Sequence, residues 1–386
     1  MVPAAYLDHA AGTDLRPEAR AAWLEAAAVG ANPSSLHARG RDARRIVEES
    51  RERVAAALGV LPTAVVFTAG GTASDNLAIA GRPPGGALVL PRTEHKAVLE
   101  PAQARAGDRI IWWECDHEGR VDPGRLAEIL TDAESRGDGV ELVCLMAVNN
   151  ETGVRQPLAE AAAICAEHRV ALHTDAVQGL GTVALDLNDV TTAAFSAHKV
   201  GGPQGVGILT VAPGADLTPL VRGGGHEGGL RAGTPDVAGI AGAAVAVDLA
   251  VAERDRHAAH LARLRDRLLR GLAVDPELDH RLNSPADGVP GIVNVSFPGC
   301  ESDALMLLLD AAGVAVSTGS ACTVGIPRPS HVLLAMGRDA VEARSALRIS
   351  FGRTSTEADV DLLLAALPDA VARARRAGML TRGAAS

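Results

Sequence analysis

The sequence predicts an α/β fold: a large domain on a mostly parallel sheet with helices on both faces, then a smaller α+β domain. Three features predict it. Short apolar runs alternate with helical periodicities from residue 17 to residue 211, the pattern of repeated strand–helix–strand crossovers. The runs are apolar at nearly every position rather than at every second one, as in strands buried on both faces. After a long helical stretch ending near Leu272, strands and helices alternate again on a smaller scale.

Residues 6–12 (YLDHAAG) read as a short strand entering a loop. Pro17–Val29 reads as a helix that opens on proline and closes at Gly30, and residues 37–58 as a second helix ending at Gly59. Ala64–Thr68 is a β-branched strand, followed by Ala69-Gly70-Gly71-Thr72-Ala73-Ser74 and a helix to about Ala80. Strands are expected at Ala87–Leu90, Arg109–Trp113, Glu141–Val148 and Val170–His173, with helices at Leu126–Ala133 and Leu158–Arg169. A further strand through Ala194-Phe195 runs into Ser196-Ala197-His198-Lys199, and Val206–Val211 follows. Residues 222–235 (RGGGHEGGLRAGTP) form a glycine-rich loop too long to be only a hairpin turn. Val237 to Leu272 is helical, its Arg-rich part (Arg254–Arg270) read as a solvated helix linking domains. Beyond it come strand Ile292–Phe297, helix Glu301–Ala312, strand Val314–Ser317, loop Gly319–Pro329, helix Ser330–Met336, strand Ala346–Phe351 and helix Thr356–Arg375. A frayed tail is expected from Ala377.

Composition narrows the function. At 386 residues and 47% hydrophobic, the chain can bury a sizeable core. A net charge of −10 with 2% aromatics argues against a stacking-based nucleic-acid surface. No apolar run reaches the roughly 18–20 residues of a membrane helix. The N-terminus lacks the basic region and apolar core of a signal peptide, so a cytoplasmic location is expected. Cys115, Cys144, Cys165, Cys300 and Cys322 fit neither a metal pattern nor an even disulfide set. Cys144 and Cys165 sit in apolar runs, as buried fillers do.

The polar residues that interrupt the apolar runs fall at strand ends: Thr72, His95, Asn150, Asp175, Gln178, Ser196, His198 and Lys199. In a parallel sheet a ligand lies beyond those ends. A lysine there, among small residues, suits a Schiff base with a carbonyl cofactor such as pyridoxal phosphate (PLP), although Ser-x-His-Lys alone also fits a solvated loop. An Asp ending a buried strand can pair with a pyridinium nitrogen, and a His can stack on the ring. Strand, glycine turn and helix at 64–80 make a phosphate cradle with Gly71 and Thr72, or plain turn chemistry. Residues 317–329 are rich in small residues and proline. A cysteine there, Cys322, is expected to be accessible, either as an incidental thiol or as a nucleophile on a mobile arm. Arg348, inside an apolar strand, needs a partner: a substrate carboxylate or a structural ion pair.

With these residues in place, the chain resembles the PLP-dependent cysteine desulfurases of fold type I, in the class-V aminotransferase family, and within them the long-loop group I. The resemblance runs from Tyr6 to about Asp361. It rests on YLDHAAGT, NPSSLHARGR, FTAGGTASDN, TEHKAVL, NNETGVRQP, HTDAVQGLG, FSAHKVGGPQG, GGGHEGGLRAGTPDV, STGSACT and ALRISFGR. It implies a seven-stranded sheet in a PLP-binding domain over 14–250, and a small domain over 1–13 and 251–386 that carries the cysteine loop. It implies that Lys199 holds PLP, His95 stacks on the ring and moves protons, Asp175 pairs with the ring nitrogen and Gln178 with the phenolic oxygen. Gly71, Thr72, Ser196 and His198 would bind the phosphate, with Thr234 reaching in from the other subunit of a homodimer. Asn150 and Arg348 would hold the substrate carboxylate, and Cys322 would take the sulfur of L-cysteine as a persulfide, releasing L-alanine. The sulfur would pass to acceptor proteins, an iron–sulfur scaffold or tRNA-thiolation enzymes. No metal is implied. A selenocysteine lyase would share the fold and most of the site, and a scaffold that kept the fold without the chemistry is the alternative from another class.

Overall fold

The computed structural model describes residues 5–319 and 329–383, with side chains as far as Arg376. Seven strands form its main sheet: Val65–Thr68 (β1), Ala87–Leu90 (β2), Ile110–Trp112 (β3), Val140–Cys144 (β4), Ala171–Asp175 (β5), Thr192–Ser196 (β6) and Gly207–Val211 (β7). Their order is β1-β7-β6-β5-β4-β2-β3. β7 runs antiparallel to β1 and β6, and the remaining pairs are parallel. The carboxyl ends of β1, β2, β4, β5 and β6 therefore share one edge of the sheet.

The apolar runs become strands because both faces are covered. Phe67, Val89, Trp113, Leu145, Phe195 and Ile208 are buried in one cluster with Ile240 and Val247 of the helix Val237–Ala252. Burial of each such side chain contributes about 1.5–3 kcal/mol. A second cluster joins Ala5 and Leu7 to Leu261, Phe297, Leu305, Ile349 and Leu363. It surrounds the antiparallel strands Arg281–Leu282, Ile292–Ser296 and Ala346–Ser350. The strand Ala5–Tyr6 pairs in parallel with Val314–Ala315, so the described chain crosses from the second core to the first.

The structure corrects several sequence expectations. The strand expected over Glu141–Val148 ends at Cys144. Beyond it the N–H of Met146 donates to the Glu94 side chain at 2.6 Å instead of to a neighbouring strand. The Arg-rich helix, Arg254–Val274, is not merely solvated. Leu261, Leu264, Leu268 and Leu272 recur at helical spacing and are buried, and Arg265 donates to the carbonyls of Pro285 and Gly288. The C-terminal helix continues past Ala377 to Gly383, although Gly378 and Thr381 are weak helix formers. The glycine-rich loop contains a small hairpin, Gly225–His226 against Arg231–Ala232. Among the described residues no helix is long and apolar enough to cross a membrane.

Candidate active site

At the shared strand edge lies a cavity of about 420 Å³. Among the described residues, every candidate except Thr234 lines it: Gly71, Thr72, His95, Asn150, Asp175, Gln178, Ser196, His198, Lys199 and Arg348. Thr234 is exposed outside it, where its hydroxyl accepts from Asn32 Nδ2 at 3.5 Å. Cys322 lies outside the described residues.

Local structure aims each group. β1 runs directly into Gly70, whose φ of 141° is open to glycine but strained for other residues. The helix Gly71–Ala80 then begins with no side-chain hydrogen bond from its N-cap, so its first N–H groups are available for an anion. A Cβ on Gly71 would stand 2.8 Å from Val177 Cγ2, so the turn packs against the chain just after Asp175. His95 caps the helix Lys96–Ala106, its Nδ1 accepting from the N–H of Ala97 at 3.1 Å. That bond leaves the proton of the neutral ring on Nε2. His95 opens on the cavity, yet protein surrounds it deeply enough to lower its pKa, against the opposing pull of Asp175.

Lys199 Nζ donates to the carbonyls of Ala10 and Ala11 at 2.7 and 2.8 Å. Burial, helped by the charge of Arg348, lowers its pKa to about 8. Asp175 accepts from the N–H of Val177 at 2.9 Å. Burial raises its pKa, while His95 and Lys199 pull it down. Two more carboxyls lie close. Burial above all raises Glu94, to about 8 against the pull of the Met146 N–H, and Asp75 well above the carboxylate range, and the charge of Asp175 acts the same way on both. Mutual repulsion favours one negative charge in this group, on Asp175, where the Val177 N–H and the Lys199 ammonium offset its burial. Asp75 meets His173 Nε2 at 3.1 Å, and His173 Nδ1 meets Thr192 Oγ1 at 2.9 Å. Burial lowers His173 to about 4, so its ring is neutral at pH 7.

On the phosphate side, Ser196 Oγ lies 2.9 Å from His198 Nδ1. Gln178 Nε2 donates to the Ala10 carbonyl at 2.9 Å. Opposite, Arg348 resolves its two readings in an unexpected way. It makes a structural ion pair with Asp8 at 2.8 Å and donates to the Asn150 carbonyl at 3.0 Å. Its Nε is nevertheless buried with no partner among the described residues, one donor still to be matched. Sequence reasoning gave no role to Asp8, Asp75, Glu151 and His331. Asp8 and Glu151 lie inside motifs already noticed, YLDHAAGT and NNETG; no local periodicity marked them.

PLP fits this donor set. The uncapped helix end with Thr72, Ser196 and His198 suits its phosphate, the buried carboxylate its ring nitrogen, and Lys199 its aldehyde. The close packing at Gly71 and the orphaned Arg348 Nε are what a tight cofactor seat and an anionic substrate call for.

Comparison with known proteins agrees with this chemistry. A family model described as Aminotransferase class-V matches residues 5–363. The chain is 44% identical over 395 residues to a protein named IscS-like cysteine desulfurase from Mycobacterium tuberculosis, covering 98% of this chain and 99% of that one. It is similar to a solved structure titled NifS-like protein, with a TM-score of 0.86 and 33% identity over 95% of this chain and 99% of the other. A structure titled SspA in complex with cysteine matches with a TM-score of 0.77 and 29% identity, covering 91% of this chain and 100% of that one.

Proposed function

Because the chain belongs to the class-V aminotransferase family, we infer that it is a PLP-dependent cysteine desulfurase acting through Lys199, Asp175, His95, Arg348 and Cys322. The observation that carries the residue roles is the convergence of the first four on one cavity. In net terms L-cysteine and the Cys322 thiol give L-alanine and a Cys322 persulfide.

Bound PLP supplies an electron sink for the charge left when the substrate α-proton departs. Lys199 Nζ, with its pKa near 8, keeps a usable neutral fraction at neutral pH, so it can hold the cofactor and then carry the α-proton. Asp175 keeps its negative charge for the ring nitrogen. The N–H groups that open the helix Gly71–Ala80, with Thr72, Ser196 and His198, hold the phosphate. Arg348 Nε and the Asn150 side chain orient the substrate carboxylate. His95 presents an Nε2–H to the reacting end of the substrate. Burial raises the thiols of Cys115 and Cys300 to about 11, that of Cys165 to about 12 and that of Cys144 upward as well. These four are poor nucleophiles at neutral pH, which supports Cys322 as the sulfur acceptor.

We take residues 14–250 as the PLP-binding domain and 1–13 with 251–386 as the small domain, a division supported by the two apolar clusters. The protein is read as a cytoplasmic homodimer in which Thr234 serves the partner's phosphate site, and its sulfur goes to iron–sulfur scaffold or tRNA-thiolation proteins.

The test is a visible spectrum before and after L-cysteine, with alanine and sulfide quantified under reductant. The wild type should be yellow, shift on mixing, and form alanine. Lys199→Ala should lose alanine formation by at least about 100-fold. Cys322→Ser should keep the spectral shift and lose sulfide release; unimpaired release would remove Cys322 from the mechanism. A yellow protein that turns over selenocysteine but not cysteine would identify a selenocysteine lyase instead.

A further inference from the structure

β1 is an edge strand, with β7 on one side only, so its outward backbone groups need partners from elsewhere. They find them in one ion pair. Arg51 Nη1 donates to the Val65 carbonyl at 2.6 Å, and the N–H of Phe67 donates to Glu227 Oε2 at 2.8 Å. Arg51 and Glu227 meet in a two-pronged contact, Nη1 to Oε2 and Nη2 to Oε1, both 2.9 Å. The pair thus occupies the place of a further strand. The Arg51 guanidinium also lies 5.1 Å from the centre of the Phe67 ring, and the Glu227 side chain is only 2% exposed.

Glu227 sits in the glycine-rich loop with a φ of 51°, beside Gly228 and Gly229 at 64° and 89°. A non-glycine residue in this left-handed conformation is strained. Where neighbouring positions carry glycine, the side chain at 227 has to justify its presence. The loop it fixes continues through Arg231–Ala232 to Thr234, which does not line this subunit's own cavity.

We infer that the Arg51–Glu227 pair is a positioning clamp. It fastens the glycine-rich loop to the sheet edge so that Thr234 is presented to the phosphate end of the partner subunit's site. The inference rests on the homodimer reading of Thr234. Neither clamp residue lines the described cavity; they act through the loop.

The test uses heterodimers of two differently tagged chains, one Lys199→Ala with Glu227 intact, the other Glu227→Gln with Lys199 intact. The readout is the release rate of borohydride-reducible cofactor. In the Glu227→Gln homodimer release should be about 5–20-fold faster than wild type. In the heterodimer the single Lys199 site faces an intact loop from its partner, and release should return to the wild-type rate. Glu227→Gln should also add nothing to Thr234→Val. Fast release in the heterodimer would mean that the pair acts within its own subunit, and an unchanged rate in the homodimer would mean that it positions nothing; either overturns the clamp. A chain that stays monomeric by native mass would instead overturn the dimer reading, and the clamp with it. Should Glu227→Gln fail to fold, Arg51→Lys keeps the charge, removes the fork, and is scored the same way.

Discussion

Lys199 is poised by its surroundings rather than by its own chemistry. Two carbonyls hold Nζ, and burial brings its pKa to about 8 from the ordinary 10.5. Below that pKa the neutral fraction grows tenfold per pH unit. Uptake of PLP by cofactor-stripped protein should therefore accelerate with pH up to about 8 and level off above it, as followed by stopped-flow absorbance. A rate flat from pH 6 to 9 would exclude Lys199 as the amine that captures the cofactor. The sign for stability is the same. Between about 8 and 10.5 the unfolded lysine still binds a proton that the folded one has lost, so this group favours folding more as pH rises through that window. The lysine, Asp175 and His95 could be read from sequence because each ends or follows an apolar strand, a local signal. The Asp8–Arg348 pair could not, since its partners are 340 residues apart and no periodicity links them. Cys322, expected on an exposed arm, lies outside the described residues, and its role rests on the chemistry argued above.

The turn after β1 makes the phosphate seat depend on missing atoms. Gly71→Ala would put a methyl 2.8 Å from Val177 Cγ2 and 3.4 Å from Ser196 Cβ. Overpacking of this kind costs about 1–3 kcal/mol. The variant should bind PLP roughly 5- to 100-fold more weakly, measured by equilibrium titration, and Gly71→Ala/Val177→Ala should recover much of the loss. No recovery would locate the defect in the helix start itself. Strand–turn–helix was plain from residues 64–80 because β-branched residues, glycines and alanines follow one another in short order. The end of β4 was not. Residues 145–148 stay apolar, and only a distant carboxyl, Glu94, takes the Met146 N–H out of the ladder. Likewise the Arg-rich helix hid its buried leucines behind a high charge content, although their three- and four-residue spacing was there to be counted.

The surface around the glycine-rich loop is unusual for a chain of net charge −10. Leu36 is 83% exposed and Val221 66%. The segment before Leu36 touches the loop through Asn32 to Thr234 and Ser34 to His226, so these apolar side chains flank the residue assigned to the partner's site. Scattered exposed leucines need no explanation, but apolar residues grouped beside a functional loop suit an interface. Composition could not locate them: a hydrophobic content of 47% says how much apolar surface exists, not where folding leaves it. A Leu36→Asp/Val221→Asp variant should halve the native mass and also release PLP faster, by about tenfold or more if one hydrogen bond to the phosphate is lost. Light scattering and the decay of the visible band measure the two effects on one sample. The coupling is what matters. Monomers that hold PLP as tightly as the wild type would leave the dimer intact as a proposal for the native state, but would take Thr234 out of the partner's site. Monomers that lose PLP without losing helical content would tie cofactor retention to the second subunit.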